Sequence, residues 1–163
     1  MVITFEVDCQ SPLHDPILQG TWKYIKNIDF SMIIEKMVKQ DGWRKKNALE
    51  TAQFYRNFLY LNKKYSQHGV LPPSIDIDEF WHNHILDTKQ YLHDCQQIFG
   101  YYLHHYPYLV QDHALNQLQL NQAFAQTQAF HQQEFGHPIH ATRSKFAILR
   151  QGLSVTAKWL KTV

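Results

Sequence analysis

The longest uninterrupted helical pattern of the chain runs from Trp43 to Gln67, and it constrains the fold more than any other feature. Alanine and large apolar residues recur there three and four positions apart, as in Ala48, Ala52 and Tyr55. That spacing places side chains on one face of an α-helix. Because an isolated helix is marginal in water, such a face indicates packing against further helices.

Start and stop signals divide the rest of the chain into shorter helices. Asp15 followed by Pro16 is a favoured helix start, and Asp29 opens a second helix. Three later helices are predicted over 76–86, 87–99 and 112–135. Their predicted signals are Asp76 as N-cap with Glu79 completing a capping box, Asp87 or Thr88 as the next N-cap, and Gly100 and Gly136 as terminators.

These signals predict a mainly α fold, a single-domain bundle of five to seven helices. Residues 1–14 are predicted to be an N-terminal arm, either extended or with a short strand over 2–7. Residues 15–140 are the predicted helical core. Residues 141–163 form a basic segment with five Lys or Arg side chains and no acidic one, and their apolar residues have helical spacing.

Composition excludes several classes of protein. The 163 residues are 44% hydrophobic and 18% charged, which is an ordinary globular balance, and the net charge of +2 argues against nucleic-acid binding. The two cysteines, Cys9 and Cys95, predict no disulfide framework. No secretory signal and no apolar run of about 18 residues is evident. A cytoplasmic location is the default expectation, although a protein exported by a specialised machine would look the same.

Five of the eleven histidines lie between His82 and His105. With the carboxylates and Cys95 around them, they supply the donor types of a zinc, iron or other transition-metal site. Residues two apart on an α-helix point about 200° away from each other, so His82 and His84 do not chelate one ion from a regular helix. The HExxH motif of metalloproteases is absent.

Helical spacing predicts different environments for these two histidines. His84 shares an apolar stripe with Trp81 and should face the core, where it can pair with Asp87. His82 should lie on the flank beside Asp78, four residues earlier. The next helix has a predicted buried stripe, and His93 and Asp94 are predicted to lie off it: the stripe is Tyr91, Leu92, Cys95, Ile98 and Phe99. A buried histidine bonded to a carboxylate or carbonyl is commoner than a metal ligand, and Cys95 on this stripe suits a small buried hydrophobe.

The run from Leu71 to Tyr108 contains an Asp-Ile-Asp entry, Trp-His-x-His, Asp-Cys, Phe-Gly and His-His-x-Pro-Tyr. In this order the pattern resembles the core of the glycine-rich domain-containing protein-like family. The helix ending in Phe135-Gly136 and the helix before the prolines also resemble that family. The residues that carry the resemblance are Asp76, Asp78, Trp81, His82, His84, Asp87, Thr88, Tyr91, Asp94, Cys95, Phe99, Gly100, His104, His105, Pro107 and Tyr108.

The resemblance implies that His82, His84, Cys95, His104 and His105 belong to one local structure, but it implies no particular reaction. This chain has no glycine-rich tail and only six glycines, so a role tied to such a tail is not carried over.

Two functions are compatible with the sequence. The first is a helical binding or interaction module with a histidine- and aromatic-rich central site, whose partner is a protein or a small molecule. The alternative is a metal-dependent enzyme in which His82 or His84, together with His104, His105 or Cys95, binds a transition metal such as zinc. The candidate site comprises Asp78, Trp81, His82, His84, Asp87, Tyr91, Cys95, His104 and His105. The metal alternative requires the connector that carries His104 and His105 to fold back onto the Trp-His-x-His helix.

The basic segment 141–163 has two interpretations. A basic amphipathic helix can bind an anionic membrane surface or an acidic partner. It can also dock on the bundle with its lysines in solvent, which is the commoner arrangement.

Overall fold

Six α-helices account for the regular structure of the described residues, which are 15–69, 71–105 and 117–143 of a computed structural model. The helices are α1 (Pro16–Lys26), α2 (Ser31–Lys39), α3 (Lys45–Lys64), α4 (Ile75–Leu86), α5 (Thr88–Ile98) and α6 (Gln117–Phe135). A 3-10 turn over Ser66–His68 follows α3, and no strand occurs in these ranges. The predicted fold class, a mainly α single-domain bundle of five to seven helices, is confirmed.

Some predictions fall on residues outside these ranges. They are the N-terminal arm over 1–14, the start of the last helix over 112–116, and most of the basic segment, 144–163. The domain boundaries therefore stay predictions. Within the described ranges, no helix combines the length and the apolar character of a membrane span.

Helix α3 is the centre of the bundle, and α1, α2, α4 and α6 all pack against it. Its side chains are buried on most sides, among them Tyr55, Phe58 and Leu61. A helix that buries ten of its 20 side chains is stable only inside a protein, which explains why the longest helical pattern lies at the centre.

Local signals set several helix ends as predicted. The Asp15 carboxylate accepts hydrogen bonds from the backbone N–H groups of Ile17 and Leu18, and Pro16 is the first residue of α1. Asp87 caps α5. Gly100 follows α5 with a φ of 79°, a left-handed conformation that glycine adopts without strain, and there the chain turns back.

The predicted cap of α4 is wrong. Ser74 is the N-cap, and its hydroxyl accepts from the backbone N–H of Ile77. Asp76 lies inside the first turn and is 3% exposed. Its Oδ1 accepts from Nε of Arg143 at 2.6 Å, and its Oδ2 accepts from the backbone N–H of Thr142 at 2.8 Å. The Asp76 carboxylate therefore binds Arg143, 67 residues away, and does not cap α4 as the local spacing had predicted.

Glu79, predicted to complete the capping box, also forms an ion pair with Arg143. Its Oε2 lies 2.8 Å from Nη2 of Arg143, and its Oε1 accepts from Nε1 of Trp43 at 3.0 Å. The Arg143 guanidinium lies over the Trp43 ring at 3.9 Å. We call Asp76, Glu79, Thr142 and Arg143 the C-terminal clasp, because their contacts hold the last residues of the described range 117–143 against α4.

A buried histidine on α6, His131, fastens that helix to α3. Nδ2 of Asn57 donates to its Nε2 at 3.0 Å, and its Nδ1 donates to the carbonyl of His137 at 2.6 Å. The Asn57 oxygen is already engaged by Gln53, which fixes the amide orientation. The imidazole is therefore neutral, with its proton on Nδ1. Burial lowers the pKa of His131, and the bond to the His137 carbonyl, which raises it, does not offset this.

Asp76→Asn should destabilise the protein strongly, because Arg143 would keep its buried position with the principal counter-charge removed. We expect the free energy of unfolding in urea to fall by about 3 kcal/mol. Glu50→Gln is the matched control, since Glu50 pairs with His140 at an exposed position and should contribute no more than about 1 kcal/mol. Equal, small losses in both variants would show that the clasp does not stabilise the fold.

His131→Gln should flatten the acid dependence of stability. Because the pKa of folded His131 is lowered, its contribution is complete above the unfolded value near pH 6.5, and it is lost as the pH falls through the folded value. One such group changes the free energy of unfolding by at most about 1.4 kcal/mol per pH unit.

Urea unfolding between pH 5 and 7.5 measures this slope in the wild type, in His131→Gln and in His93→Gln, which alters an exposed histidine. A slope that stays unchanged in His131→Gln would contradict the assignment.

Candidate functional site

Helix α4 separates the two histidines of Trp-His-x-His as their spacing predicts. His84 points into the bundle and is 1% exposed, whereas the side chain of His82 is 49% exposed. The two imidazoles therefore have different chemical surroundings.

His84 belongs to a buried hydrogen-bond network that joins four helices. Its Nδ1 bonds the hydroxyl of Tyr55 on α3 at 2.9 Å, and its Nε2 bonds Oδ2 of Asp94 on α5 at 3.0 Å. Tyr24 of α1 donates to Oδ1 of Asp94 at 2.5 Å, and Gln90 also donates to this carboxylate. Both ring nitrogens of His84 are thus engaged.

Three predictions about this region are wrong. Asp94, expected to lie off the buried stripe, is 1% exposed, and Leu92, expected on the stripe, is 56% exposed. His84 pairs with Asp94 rather than with Asp87, which caps α5. Asp94 has helical spacing with Tyr91 and Ile98, so the periodicity itself contained the signal for its burial.

The electrostatics of the network favour an ionised Asp94. Burial raises the pKa of this carboxyl, but the hydrogen bonds from His84, Tyr24 and Gln90 outweigh burial and leave its pKa lowered. Burial and the adjacent carboxylate raise the pKa of Tyr24. The tyrosine therefore remains a hydroxyl donor, and the network is a satisfied structural element of the core.

A second group of ionisable side chains converges on the outer face of α4. Asp78 Oδ1 lies 2.8 Å from Nε2 of His105, and Asp78 Oδ2 lies 3.7 Å from Nε2 of His82. The His82 and His105 ring centroids are 4.5 Å apart. One ligand atom from each of the three residues lies within 4.8 Å of the other two. We call Asp78, His82 and His105 the histidine–aspartate cluster.

Two features of the chain assemble this cluster. Asp78 and His82 are four residues apart on α4, so they lie one above the other on the same face. His105 comes from the connector after α5, which returns to α4 and packs against the Trp81 ring with centroids 4.6 Å apart. The return that the metal alternative required is therefore present for His105.

The remaining predicted site residues lie around the cluster rather than in it. His104 is exposed and contacts the Tyr102 ring. The indole Nε1 of Trp81 donates to the Tyr91 hydroxyl at 2.9 Å. Cys95 is 2% exposed, and burial raises the pKa of its thiol. In the described part of the chain, neither His84 nor Cys95 joins the histidine–aspartate cluster.

The cluster has the donor set of a metal-binding site. Two imidazole nitrogens and one carboxylate oxygen suit zinc and other divalent transition metals. The Asp78 side chain is 36% exposed and that of His105 is 14% exposed, so the cluster faces solvent on one side. An ion held there would keep coordination positions for water or another molecule.

Two grooves lie elsewhere on the described surface. One of about 560 Å³ lies between α2 and α3, where Phe30, Leu49 and Arg56 are among its lining residues. Another of about 470 Å³ lies between the start of α4 and α6, lined in part by Ile75 and Phe124. Neither groove is lined by the histidine–aspartate cluster, so both are separate from it.

Comparisons with known proteins assign the chain to a sequence family. Searches of the curated proteins and of the solved structures gave no significant match. The UCP032817-like family model matches residues 21–132, a range that includes every member of the histidine–aspartate cluster and of the His84 network. The chain belongs to the UCP032817-like family.

Proposed function

We propose that this protein is a helical binding module whose ligand at the histidine–aspartate cluster is a divalent transition metal ion such as zinc. The observation that carries the proposal is the convergence of Asp78, His82 and His105, whose ligand atoms lie within 4.8 Å of one another.

The distances support this assignment after a small adjustment. Zinc binds imidazole nitrogen and carboxylate oxygen at about 2.0–2.2 Å, which places the ligand atoms of a tetrahedral site roughly 3.3 Å apart. Nε2 of His105 lies 2.8 Å from Oδ1 of Asp78, slightly closer than in such a site, and Nε2 of His82 lies 3.7 Å from Oδ2 of Asp78. The His82 side chain is half exposed. Its rotation would bring Nε2 within reach of an ion bound by Asp78 and His105, without a movement of α4.

Three protein ligands leave at least one coordination position of zinc for another molecule. A donor group of a partner protein or a small molecule can take that position, which agrees with an interaction module. A bound water there would instead supply a nucleophile, since zinc lowers the pKa of its water. Metal-dependent hydrolysis is therefore the second candidate function, and the solvent-facing side of the cluster favours it.

The resemblance to the glycine-rich domain-containing protein-like family is part of the proposal. The cluster residues belong to the Asp-Ile-Asp, Trp-His-x-His and His-His-x-Pro-Tyr elements that carry this resemblance. We infer that a shared site, rather than a glycine-rich tail, relates this chain to that family.

Untagged protein should bind one equivalent of Zn²⁺ in an isothermal titration. At a free zinc concentration of about 100 times the dissociation constant, the melting temperature should rise by about 5 °C or more. His82→Ala and His105→Ala should each weaken binding at least about 100-fold, a larger loss than outer-shell substitutions usually cause.

His93→Ala and His104→Ala are the matched controls, because each removes an exposed histidine that is not in the cluster. Both should bind zinc as the wild type does. Less than about 0.1 equivalent of bound zinc in the wild type, with an unchanged melting temperature, would reject the proposal. Zinc-dependent hydrolysis of an activated ester that disappears in His105→Ala would favour the second function.

A further inference from the structure

The connector that carries His105 is held in place by a buried tyrosine on α5. Tyr91 is 1% exposed, and its hydroxyl donates to the carbonyl of Leu103 at 2.5 Å. The same oxygen accepts from Nε1 of Trp81 at 2.9 Å. One hydroxyl therefore joins α4, α5 and the connector.

These bonds are part of a continuous chain of contacts that begins and ends on α4, beside the histidine–aspartate cluster. Trp81 lies on α4 between Asp78 and His82 in sequence. From Trp81 the contacts pass through Tyr91 to Leu103, and two residues later His105 returns to Asp78 on α4.

We propose that Tyr91 is a positioning residue for the metal site: its hydroxyl fixes Leu103 so that His105 presents Nε2 to Asp78 and His82. This inference rests on the proposed metal-binding function. Ordering a backbone residue costs conformational entropy, and a connector that is already ordered has no such cost to meet when the ion binds. Without the hydroxyl, His105 must be ordered by the metal itself.

Tyr91→Phe isolates this effect because it keeps the ring and removes only the hydroxyl. Tyr55→Phe is the matched control. Tyr55 is also fully buried, and its hydroxyl also bonds a side chain of α4, His84, but it does not bond the connector. Both variants lose one buried hydroxyl, so a general loss of stability affects both.

Zinc affinity should be measured by competition with a chromogenic chelator for the wild type and both variants. We expect Tyr91→Phe to bind zinc about tenfold or more weakly, as substitutions behind metal ligands do, and Tyr55→Phe to bind within about twofold of the wild type. At saturating Co²⁺, the absorption spectrum of Tyr91→Phe should match the wild type, whereas that of His105→Ala should differ. A positioning residue changes affinity without changing the ligand set.

Trp81→Phe is a second variant, which removes the indole donor together with part of the ring that packs against His105. It should weaken zinc binding roughly threefold or more, even if Tyr91→Phe does not fold. Wild-type affinity in Tyr91→Phe or Trp81→Phe, or an equal loss in Tyr55→Phe, would overturn the positioning role. A wild-type protein that binds no zinc would overturn the metal function, and the positioning role with it.

Discussion

The hydrogen bond between His84 and Asp94 is the interaction on which the arrangement of this bundle depends. It joins α4 to α5 inside the core, where an ionised carboxylate is tolerated only when donors surround it. Tyr24 and Gln90 supply the other donors, and Tyr55 bonds the far nitrogen of the imidazole. Because a shift of α4 along α5 would break this bond, the network fixes the position of one helix on the other. The bond from Trp81 to Tyr91 depends on that position.

The same helix carries both the structural and the accessible histidine. Successive residues of α4 rotate by about 100°, so His84 enters the core network while His82 stays on the opposite, solvent-facing side. The C-terminal clasp holds the start of α4 through Asp76 and Glu79, and the His84 network holds its last turn. A helix fixed at both ends is a rigid support for Asp78 and His82. Metal sites require this, since ligands that are already in place lower the cost of binding.

The sequence correctly predicted those structural features that depend only on residues a few positions apart. The cap at Asp15, the turn at Gly100 and the opposite orientations of His82 and His84 all follow from backbone geometry within a few positions. Asp76 and Asp94 were assigned incorrectly, because their partners are brought to them by the tertiary fold. A buried carboxylate cannot be distinguished from a cap or a surface charge until its donors are known, and for Asp76 the donor is Arg143, 67 residues away. The return of His105 to α4 was recognised as a requirement of a metal site, but no local signal established it.

Diffraction from crystals of the zinc-loaded, untagged protein, recorded at the zinc absorption edge, would locate the bound ion. We expect one anomalous peak within about 2.2 Å of Nε2 of His82, Nε2 of His105 and a carboxylate oxygen of Asp78, with His84 still bonded to Asp94. A zinc peak beside Cys95 or His84, with the histidine–aspartate cluster holding no ion, would contradict it.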